Sequence, residues 1–158
     1  MQKHILNVLV ENRPGVLARI VGLISGRGYN IETLNVGPTN DDSISKMTIV
    51  IPGDLRVIEQ VVAQLAKQIN VFRVDNVTAK PHIDREALLI KVSTRATGRA
   101  PVIEVAMLFG AKVLGVHPDS LTIQMLGSQM QVDQFLTLMH PFDVLDISRS
   151  GSIAMTQE

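Results

Sequence analysis

The chain contains no cysteine and carries no net charge. Without cysteine it can form neither disulfides nor thiolate metal sites, so the core alone must hold the fold, and a reducing cytoplasm fits this composition. Its 15 basic and 15 acidic residues cancel, which removes the positive excess typical of a nucleic-acid binder. These absences predict a cytoplasmic protein whose partners do not include nucleic acid.

Long apolar runs are also missing. The N-terminal stretch "MQKHILNVLVEN" has only a short apolar run and no small-residue cleavage site, so we expect neither a signal peptide nor a membrane span. Charged residues make up 19% of the chain and apolar residues 46%, whereas soluble domains average roughly 25% charged. A small domain buries only about 60% of the surface that its unfolded chain exposes, so this apolar content needs a partner surface as well. We therefore expect an oligomer.

The first unit of the sequence is a strand, a tight turn and a helix. Residues 4–10, "HILNVLV", alternate as in a strand, and both faces are largely apolar, which is typical of a central strand. From Pro14 onward the apolar residues recur at helical spacing, until the glycines of "GRGYN" end the predicted helix at 26–28.

A hairpin and a second helix follow. Two extended runs, 30–37 and 44–52, flank a polar loop and predict the hairpin. Asp54 is suited to cap the next helix and Asn70 to close it. The apolar stripe of that helix consists of Leu55, Ile58, Val61, Val62, Leu65 and Ile69. With "VFRVDNVTA" as a fourth strand, the order within residues 1–78 is βαββαβ, the ferredoxin-like unit.

The same order returns after "KPHID". The segments are "REALLIKVST" as a strand, "APVIEVAMLFG" as a helix, "AKVLGVHPDSLTIQMLG" as a hairpin, "VDQFLTLMHPF" as a helix and "DVLDISRSGSIAM" as a strand. The sequence therefore predicts an α+β protein with two ferredoxin-like domains, 1–78 and 85–158, joined by a linker at 79–84.

Signatures of catalysis and of metal binding are weak. The four histidines neither cluster nor show i,i+4 spacing; they are His4, His82, His117 and His140. The glycines of "GRGYN" end a helix, whereas phosphate-binding glycines open one. Asp41 and Asp42 could hold Mg²⁺, but adjacent carboxylates in a hairpin loop are typical of a solvated turn. We expect no catalytic residue and no metal site.

The stretch "ENRPGVLARI" combines a turn signal with a helix start. Pro14 suits the first helical turn, and Gly15, which has no Cβ, lets a ligand approach the first-turn N–H groups at the positive end of the helix dipole. Asn12 is placed to cap the helix or to bind a ligand's polar group. Asn12 as a plain cap, with Gly15 only relieving crowding, remains an alternative.

The segment "NVLVENRPGVLARIVGLISGRGYNIETLNVGPT" resembles an ACT domain, specifically that of the regulatory small subunits of acetolactate synthase, also called acetohydroxyacid synthase. The hairpin "SISKMTIVI" and the later segments "REALLIKV" and "PDSLTIQMLG" extend the resemblance over almost the whole chain. It implies a non-catalytic subunit that binds and activates the catalytic subunit and confers feedback inhibition by valine or another branched-chain amino acid. The cofactors thiamine diphosphate, Mg²⁺ and FAD would belong to the catalytic partner, and none to this chain.

The resemblance also implies where an effector binds. Two ACT domains of such proteins pair side by side as a homodimer, and the amino acid lies between the strand-helix loop of one chain and the start of the second strand of the other. Carried onto this sequence, one wall consists of Asn12, Pro14, Gly15, Val16 and Leu17, and the other of Tyr29, Asn30 and Ile31.

Two other functions stay open at the level of sequence. The chain could be a free-standing ACT-domain sensor of another pathway, which would share the effector site but not the enzyme partner. It could also be an acylphosphatase-like hydrolase, because Arg13 lies in a loop comparable to that fold's phosphate cradle. Pro14 disfavours a phosphate cradle, since it removes one backbone N–H that could bind the phosphate. A departure from the regulatory-subunit pattern at "STRATGRAPVIEVAMLFG" leaves any role of Arg95 or Arg99 open.

Overall fold

A computed structural model of the chain describes every residue from 1 to 158. It divides into two units: unit 1 comprises Met1–Ile83 together with Ser152–Glu158, and unit 2 comprises Asp84–Gly151. Two separate four-stranded sheets are present, and the α+β class predicted from the sequence is confirmed.

Unit 1 has the predicted βαββαβ order. Its elements are β1 (Lys3–Glu11), α1 (Val16–Gly26), β2 (Thr33–Pro38), β3 (Ile44–Pro52), α2 (Leu55–Ala66) and β4 (Val71–Asn76). The sheet order is β2-β3-β1-β4, and each neighbouring pair is antiparallel. Strand β1 is internal in this sheet, and most of its residues on both faces are buried, which explains its apolar residues on both sides.

The core of unit 1 lies mainly between the sheet and its two helices. Leu6, Val8 and Val10 of β1 pack in one buried cluster with Ile20 of α1 and Ile58 of α2. The opposite face of the sheet holds a smaller cluster of Ile5, Val50, Val77 and Ala154. Burial of this kind is the main stabilising contribution, at about 25 cal/mol per Å² of apolar surface.

The second set of elements repeats the order of the first. These elements are β5 (His82–Ser93), α3 (Ala100–Leu108), β6 (Lys112–Val116), β7 (Ser120–Gly127), α4 (Gln129–Met139) and β8 (Val144–Thr156), with sheet order β6-β7-β5-β8. Leu121, Ile123 and Met125 of β7 are buried with Val102 and Phe135 of the helices. The half-buried strand predicted from their alternation is confirmed.

Several predicted element ends are wrong by a few residues. Helix α1 begins at Val16 rather than Pro14, and β2 begins at Thr33 rather than at residue 30. Helix α4 begins at Gln129, earlier than predicted, because the Ser128 hydroxyl accepts from the Gln131 amide and the Gln131 side chain accepts from the Ser128 amide.

The predicted end of α2 is also wrong. The helix ends at Ala66, and Asn70 does not close it. Instead Asn70 Nδ2 donates to Glu11 Oε2 at 2.6 Å, and Asn70 Oδ1 accepts from the Arg19 guanidinium at 2.7 Å. Ile69, which was assigned to the apolar stripe, is 88% exposed because it lies beyond the helix. The predicted cap at Asp54 is confirmed, since its Oδ1 accepts from the Val57 amide at 2.9 Å.

The last residues of the chain do not follow the predicted domain division, which placed all residues after the 79–84 linker in the second domain. Residues 152–158, here called the C-terminal strap, were assigned to the second domain but belong to unit 1. Asn35 Nδ2 donates to the Ser152 carbonyl at 3.1 Å and Asn7 Nδ2 to the Ala154 carbonyl at 2.9 Å. Side chains of the sheet therefore satisfy backbone groups of the strap, which would otherwise be buried without partners.

The segment predicted as a linker is largely structured. A short 3-10 turn at Val77–Ala79 is followed after two residues by β5, which starts at His82. None of the four helices is long and apolar enough to cross a membrane.

Candidate functional site

The start of α1 leaves backbone N–H groups without acceptors. Gly15 has φ 86° and ψ −13°, and the Val16 amide donates to the Arg13 carbonyl at 3.3 Å. With Pro14 before the glycine, this is the geometry of a type II turn. No side chain caps the helix and no acidic residue lies in its first turn. The amides of Leu17 and Ala18 donate to no acceptor in the chain.

Helices α2 and α4 are capped by the side chains of Asp54 and Ser128, whereas α3, like α1, has no side-chain cap. What distinguishes α1 is the glycine at its N-cap. At α1 the corresponding position is Gly15, which has no side-chain acceptor, and an added Cβ there would meet nothing within 4 Å. An uncapped helix N-terminus with open space above it is suited to an anion such as a carboxylate.

The side chain of Asn12 does not cap α1, and its amide group donates to the β2-β3 loop instead. Its Nδ2 donates to the Asp42 carbonyl at 2.9 Å, and its backbone N–H donates to the Ser43 carbonyl at 2.8 Å. The predicted alternative of Asn12 as an N-cap is therefore wrong. The residue ties the loop before α1 to the β2-β3 loop, and its Oδ1 makes no hydrogen bond within the chain.

The β2-β3 loop has the character of a solvated turn. Asp41 Oδ1 accepts from the Ser43 amide at 2.9 Å and from the Ser43 hydroxyl at 2.6 Å. These two hydrogen bonds lower the pKa of Asp41 from its ordinary value, the hydroxyl contributing most. One carboxylate of the pair is thus engaged within its own turn, which favours the turn interpretation over a cation site.

Arg13 lies beside the uncapped helix start and is held by Glu11. The guanidinium Nε lies 2.7 Å from Glu11 Oε1, and the arginine side chain is largely exposed. Glu11 is itself fixed by the hydrogen bond from Asn70. The arginine adds positive charge near the free amides, and its head group remains in contact with solvent.

The second predicted group follows the end of α1. Gly28 has φ 80°, its amide donates to Ser25 O at 3.0 Å, and the Tyr29 amide donates to Ile24 O at 3.3 Å. This is a Schellman ending, in which a left-handed glycine closes the helix. It directs the chain so that Tyr29 and Ile31 pack against the core while Asn30 is exposed.

The two groups of site residues lie at opposite ends of α1. The helix has 11 residues, which corresponds to about 16 Å at 1.5 Å per residue. One chain therefore does not bring the residues around Gly15 together with those around Asn30. The second group leads directly into β2, which is an edge strand of its sheet, so it lies where a second copy of the chain has access.

The side chains of the predicted site differ in how they are placed. Val16 is buried and its amide is used in the turn, whereas Leu17 is 44% exposed. The Tyr29 hydroxyl donates to Gln60 Oε1 at 2.8 Å. Sequence reasoning missed the free amide of Ala18; the Pro-Gly pair was the signal, because a type II turn places the next residue at the helix start.

The fold and this helix start define an ACT-domain protein with a second ferredoxin-like unit, and two family models agree. Residues 6–73 match the AHAS small subunit-like ACT domain, and residues 85–158 match the small subunit of acetolactate synthase. The acetolactate synthase small subunit of Aquifex aeolicus is 44% identical over 159 residues, covering 100% of this chain and 83% of that protein.

Further relatives give the same result. The probable acetolactate synthase small subunit of Archaeoglobus fulgidus is 41% identical over 155 residues, covering 98% of this chain and 97% of the relative. The crystal structure of the acetolactate synthase small subunit from Thermotoga maritima superposes with a TM-score of 0.87 at 29% identity, covering 100% of this chain and 99% of that one. The chain belongs to the family of acetolactate synthase small subunits.

Proposed function

We propose that this chain is a non-catalytic regulatory subunit that binds the catalytic subunit of acetolactate synthase, raises its activity and makes it sensitive to valine or another branched-chain amino acid. Thiamine diphosphate, Mg²⁺ and FAD are assigned to the catalytic partner. Family membership supports the catalytic subunit as the partner, and the geometry at the start of α1 supports an amino-acid effector.

The uncapped start of α1 is the observation that carries the effector proposal. The free amides of Leu17 and Ala18 are suited to bind the carboxylate of an amino acid, because each hydrogen bond to a charged group contributes roughly 1.5 to 3 kcal/mol. The exposed side chain of Leu17 offers an apolar contact. Two or three such interactions suffice for a metabolite that must bind reversibly.

The second wall must come from another chain. Asn30 is exposed and makes no hydrogen bond within its own chain, and it lies just before the edge strand β2. Two copies paired side by side through β2 would bring Asn30 of one copy to the helix start of the other. Twofold symmetry then gives two equivalent sites per dimer.

Regulation follows if the effector favours one arrangement of this dimer. An amino acid that contacts both chains binds more tightly to the arrangement in which both walls are in reach, and it shifts the population toward it. The catalytic subunit then senses the altered surface. Coupling of about 1 to 3 kcal/mol, or 5- to 150-fold in affinity, is typical and is enough for feedback control.

Calorimetric titration with valine tests the site. Gly15→Asp places a carboxylate where the carboxylate of the effector would bind, and Gly15→Ala is the matched control, because both variants share the strain of a positive φ. We expect saturable binding to the parent and to Gly15→Ala, and none to Gly15→Asp. Equal binding by all three would place the effector elsewhere.

Activity measurements test the regulatory role. The catalytic subunit of acetolactate synthase is assayed alone, with this chain, and with this chain and valine. We expect activation by the chain and inhibition by valine that Gly15→Asp abolishes. A chain that binds valine while the activity of the partner is indifferent to it would contradict the mechanism.

Two other functions are supported less well. A free-standing sensor would not need a second unit that matches the small subunit of acetolactate synthase over residues 85–158. An acylphosphatase-like site would need a free Arg13, which instead pairs with Glu11.

A further inference from the structure

A polar cavity of about 190 Å³ lies within unit 1, on the face of the sheet that carries the C-terminal strap. It is lined by Asn7, Leu9, Lys46, Arg73 and Asp75 of the sheet, and by Met155, Thr156 and Glu158 of the strap. None of these residues takes part in the effector site proposed above.

Strand register explains how the sheet residues come together. Leu9 of β1 is paired with Lys46 of β3 on one side and with Arg73 of β4 on the other. Residues paired across neighbouring strands point to the same face of a sheet. The two basic side chains therefore flank one leucine on the floor of the cavity.

The charged residues that line the cavity balance formally, with Lys46 and Arg73 against Asp75 and Glu158, but the cations are not equally paired. Asp75 lies 2.8 Å from Arg73 Nε and 3.6 Å from Lys80 Nζ, so two cations share one carboxylate. Lys46 is half-buried and forms neither an ion pair nor a hydrogen bond within the chain. An ammonium group that is partly removed from water without a partner is stabilised by an anion.

The apolar residues define the kind of anion. Leu9 lies between the two cations, and Met155 of the strap faces the same cavity. An inorganic ion such as phosphate gains nothing from these two side chains, whereas an anion with a short aliphatic body removes apolar surface from water against them. Glu158 on the strap opposes any anion, and it opposes a multiply charged one more strongly than a monocarboxylate.

We infer that this cavity binds a small aliphatic monocarboxylate, with its carboxylate beside Lys46 and Arg73 and its alkyl part between Leu9 and Met155. The strap forms one side of the site. Binding therefore depends on the last seven residues of the chain as well as on the sheet, and it holds the strap in place.

The test uses butyrate as the probe, with the full chain carrying ¹³C-labelled methionine methyl groups. We expect a saturable shift of the Met155 methyl signal, and no matching shift with phosphate or n-butylamine. Lys46→Met and Arg73→Gln each weaken butyrate binding roughly tenfold, because each removes one charged partner. Lys91→Met, which removes an exposed lysine from β5, leaves the affinity unchanged.

Three outcomes overturn the inference. The Met155 signal fails to saturate with butyrate, phosphate shifts it equally, or Lys91→Met weakens binding as much as Lys46→Met does. Gly15→Asp separates this site from the effector site, since it blocks the proposed valine site while butyrate binding at Met155 persists. Arg73→Gln keeps the test valid if Lys46→Met does not fold, because Arg73 is largely exposed.

Discussion

Two glycines of the same helical region are under opposite conformational demands. Gly15 has a positive φ, whereas Gly22 lies inside α1, and a Cβ added at either would meet nothing within 4 Å. Any effect of substitution is therefore a backbone effect rather than a clash. This makes the pair a direct test of the turn before α1.

Gly15→Ala is expected to lower the free energy of unfolding by about 1 to 2 kcal/mol, the cost of a left-handed conformation for a residue with a Cβ. Gly22→Ala is expected to raise it by about 0.5 to 1 kcal/mol, because alanine favours the helix interior. Urea unfolding of both variants measures the difference. Changes of the same sign would show that Gly15 does not adopt the left-handed conformation.

The ion pair of Glu86 and Arg149 in unit 2 has very unequal exposure. Glu86 is buried, and its two carboxylate oxygens lie 2.6 and 3.1 Å from the guanidinium of Arg149, which also donates to Asp133 at 3.0 Å. Hydrogen bonding to Glu86 raises the pKa of Arg149, although burial opposes the shift. The ion pair with Glu86 therefore favours the charged form of the arginine.

Arg149→Met is expected to cost about 3 kcal/mol of stability, because it leaves a buried carboxylate without a partner. Arg95→Met is the control: its partner Asp119 is exposed, so the loss should stay below about 1 kcal/mol. Thermal unfolding compares the two. Equal small losses would contradict a buried Glu86 carboxylate that depends on Arg149.

At the scale of elements, the side chains of Asn7 and Asn35 attach the C-terminal strap to the sheet of unit 1. Asn7 is buried in β1, donates to the Ala154 carbonyl and accepts from the Thr48 hydroxyl at 3.0 Å. The Gln157 amide in turn donates to the Pro81 carbonyl at 3.0 Å. The strap is thus attached at separate points, and loss of one loosens the next.

Asn7→Ala is expected to release the strap and to destabilise unit 1 by about 1 to 3 kcal/mol, because buried polar groups lose their partners. Hydrogen exchange should show faster exchange at the Gln157 amide. Asn12→Ala removes a bond of the same kind, to the Asp42 carbonyl, but in an exposed loop, and it should leave Gln157 unchanged. Equal exchange rates at Gln157 in Asn7→Ala and the parent would exclude Asn7 as an anchor.

Periodicity predicted most elements because burial repeats at the spacing of helices and strands. The strands of both sheets and the βαββαβ order follow from alternating residues such as Leu121, Ile123 and Met125. The starts of α1 and α4 did not follow, since α1 depends on a left-handed Gly15 and α4 on the reciprocal bonds of Ser128 and Gln131. Both are interactions of single atoms, to which an apolar pattern is insensitive.

The sequence did not predict that the strap belongs to unit 1, for a similar reason. "DVLDISRSGSIAM" predicts one strand and β8 does run over Val144–Thr156, but Gly151 adopts φ 76° and the residues after it belong to unit 1. Contacts such as the hydrogen bonds of Asn7 and Asn35 to strap carbonyls hold these residues in unit 1, and those partners lie far away in the sequence. Around Pro14 and Gly15 the turn and the following helix were predictable because they are local, and their role as an effector site stays a prediction.

At the scale of the whole molecule, the apolar composition predicts association, and β2 is the edge at which we propose it. Val36 of β2 is 44% exposed. Val36→Lys should shift the chain from dimer toward monomer, because a lysine on an edge strand opposes pairing. Ile69→Lys, an exposed apolar residue in unit 1 outside β2, is the control and should stay dimeric in sedimentation equilibrium. Identical masses for the two variants would place the interface elsewhere.

A site shared between two chains has a consequence that a site within one chain lacks. Gly15→Asp damages the first wall and Asn30→Ala the second, so each variant alone should lose valine binding. In a mixed dimer both changes fall in one site and the other site has two unaltered walls.

Calorimetric titration with valine of the two variants, refolded together in equal amounts, tests this most directly. Random pairing makes half of the dimers mixed, and each mixed dimer has one intact site. The account predicts that valine binding returns at about a quarter of the parental stoichiometry, with parental affinity. A mixture that binds no valine, although its dimers have exchanged chains, would contradict an effector site built from two copies of this chain.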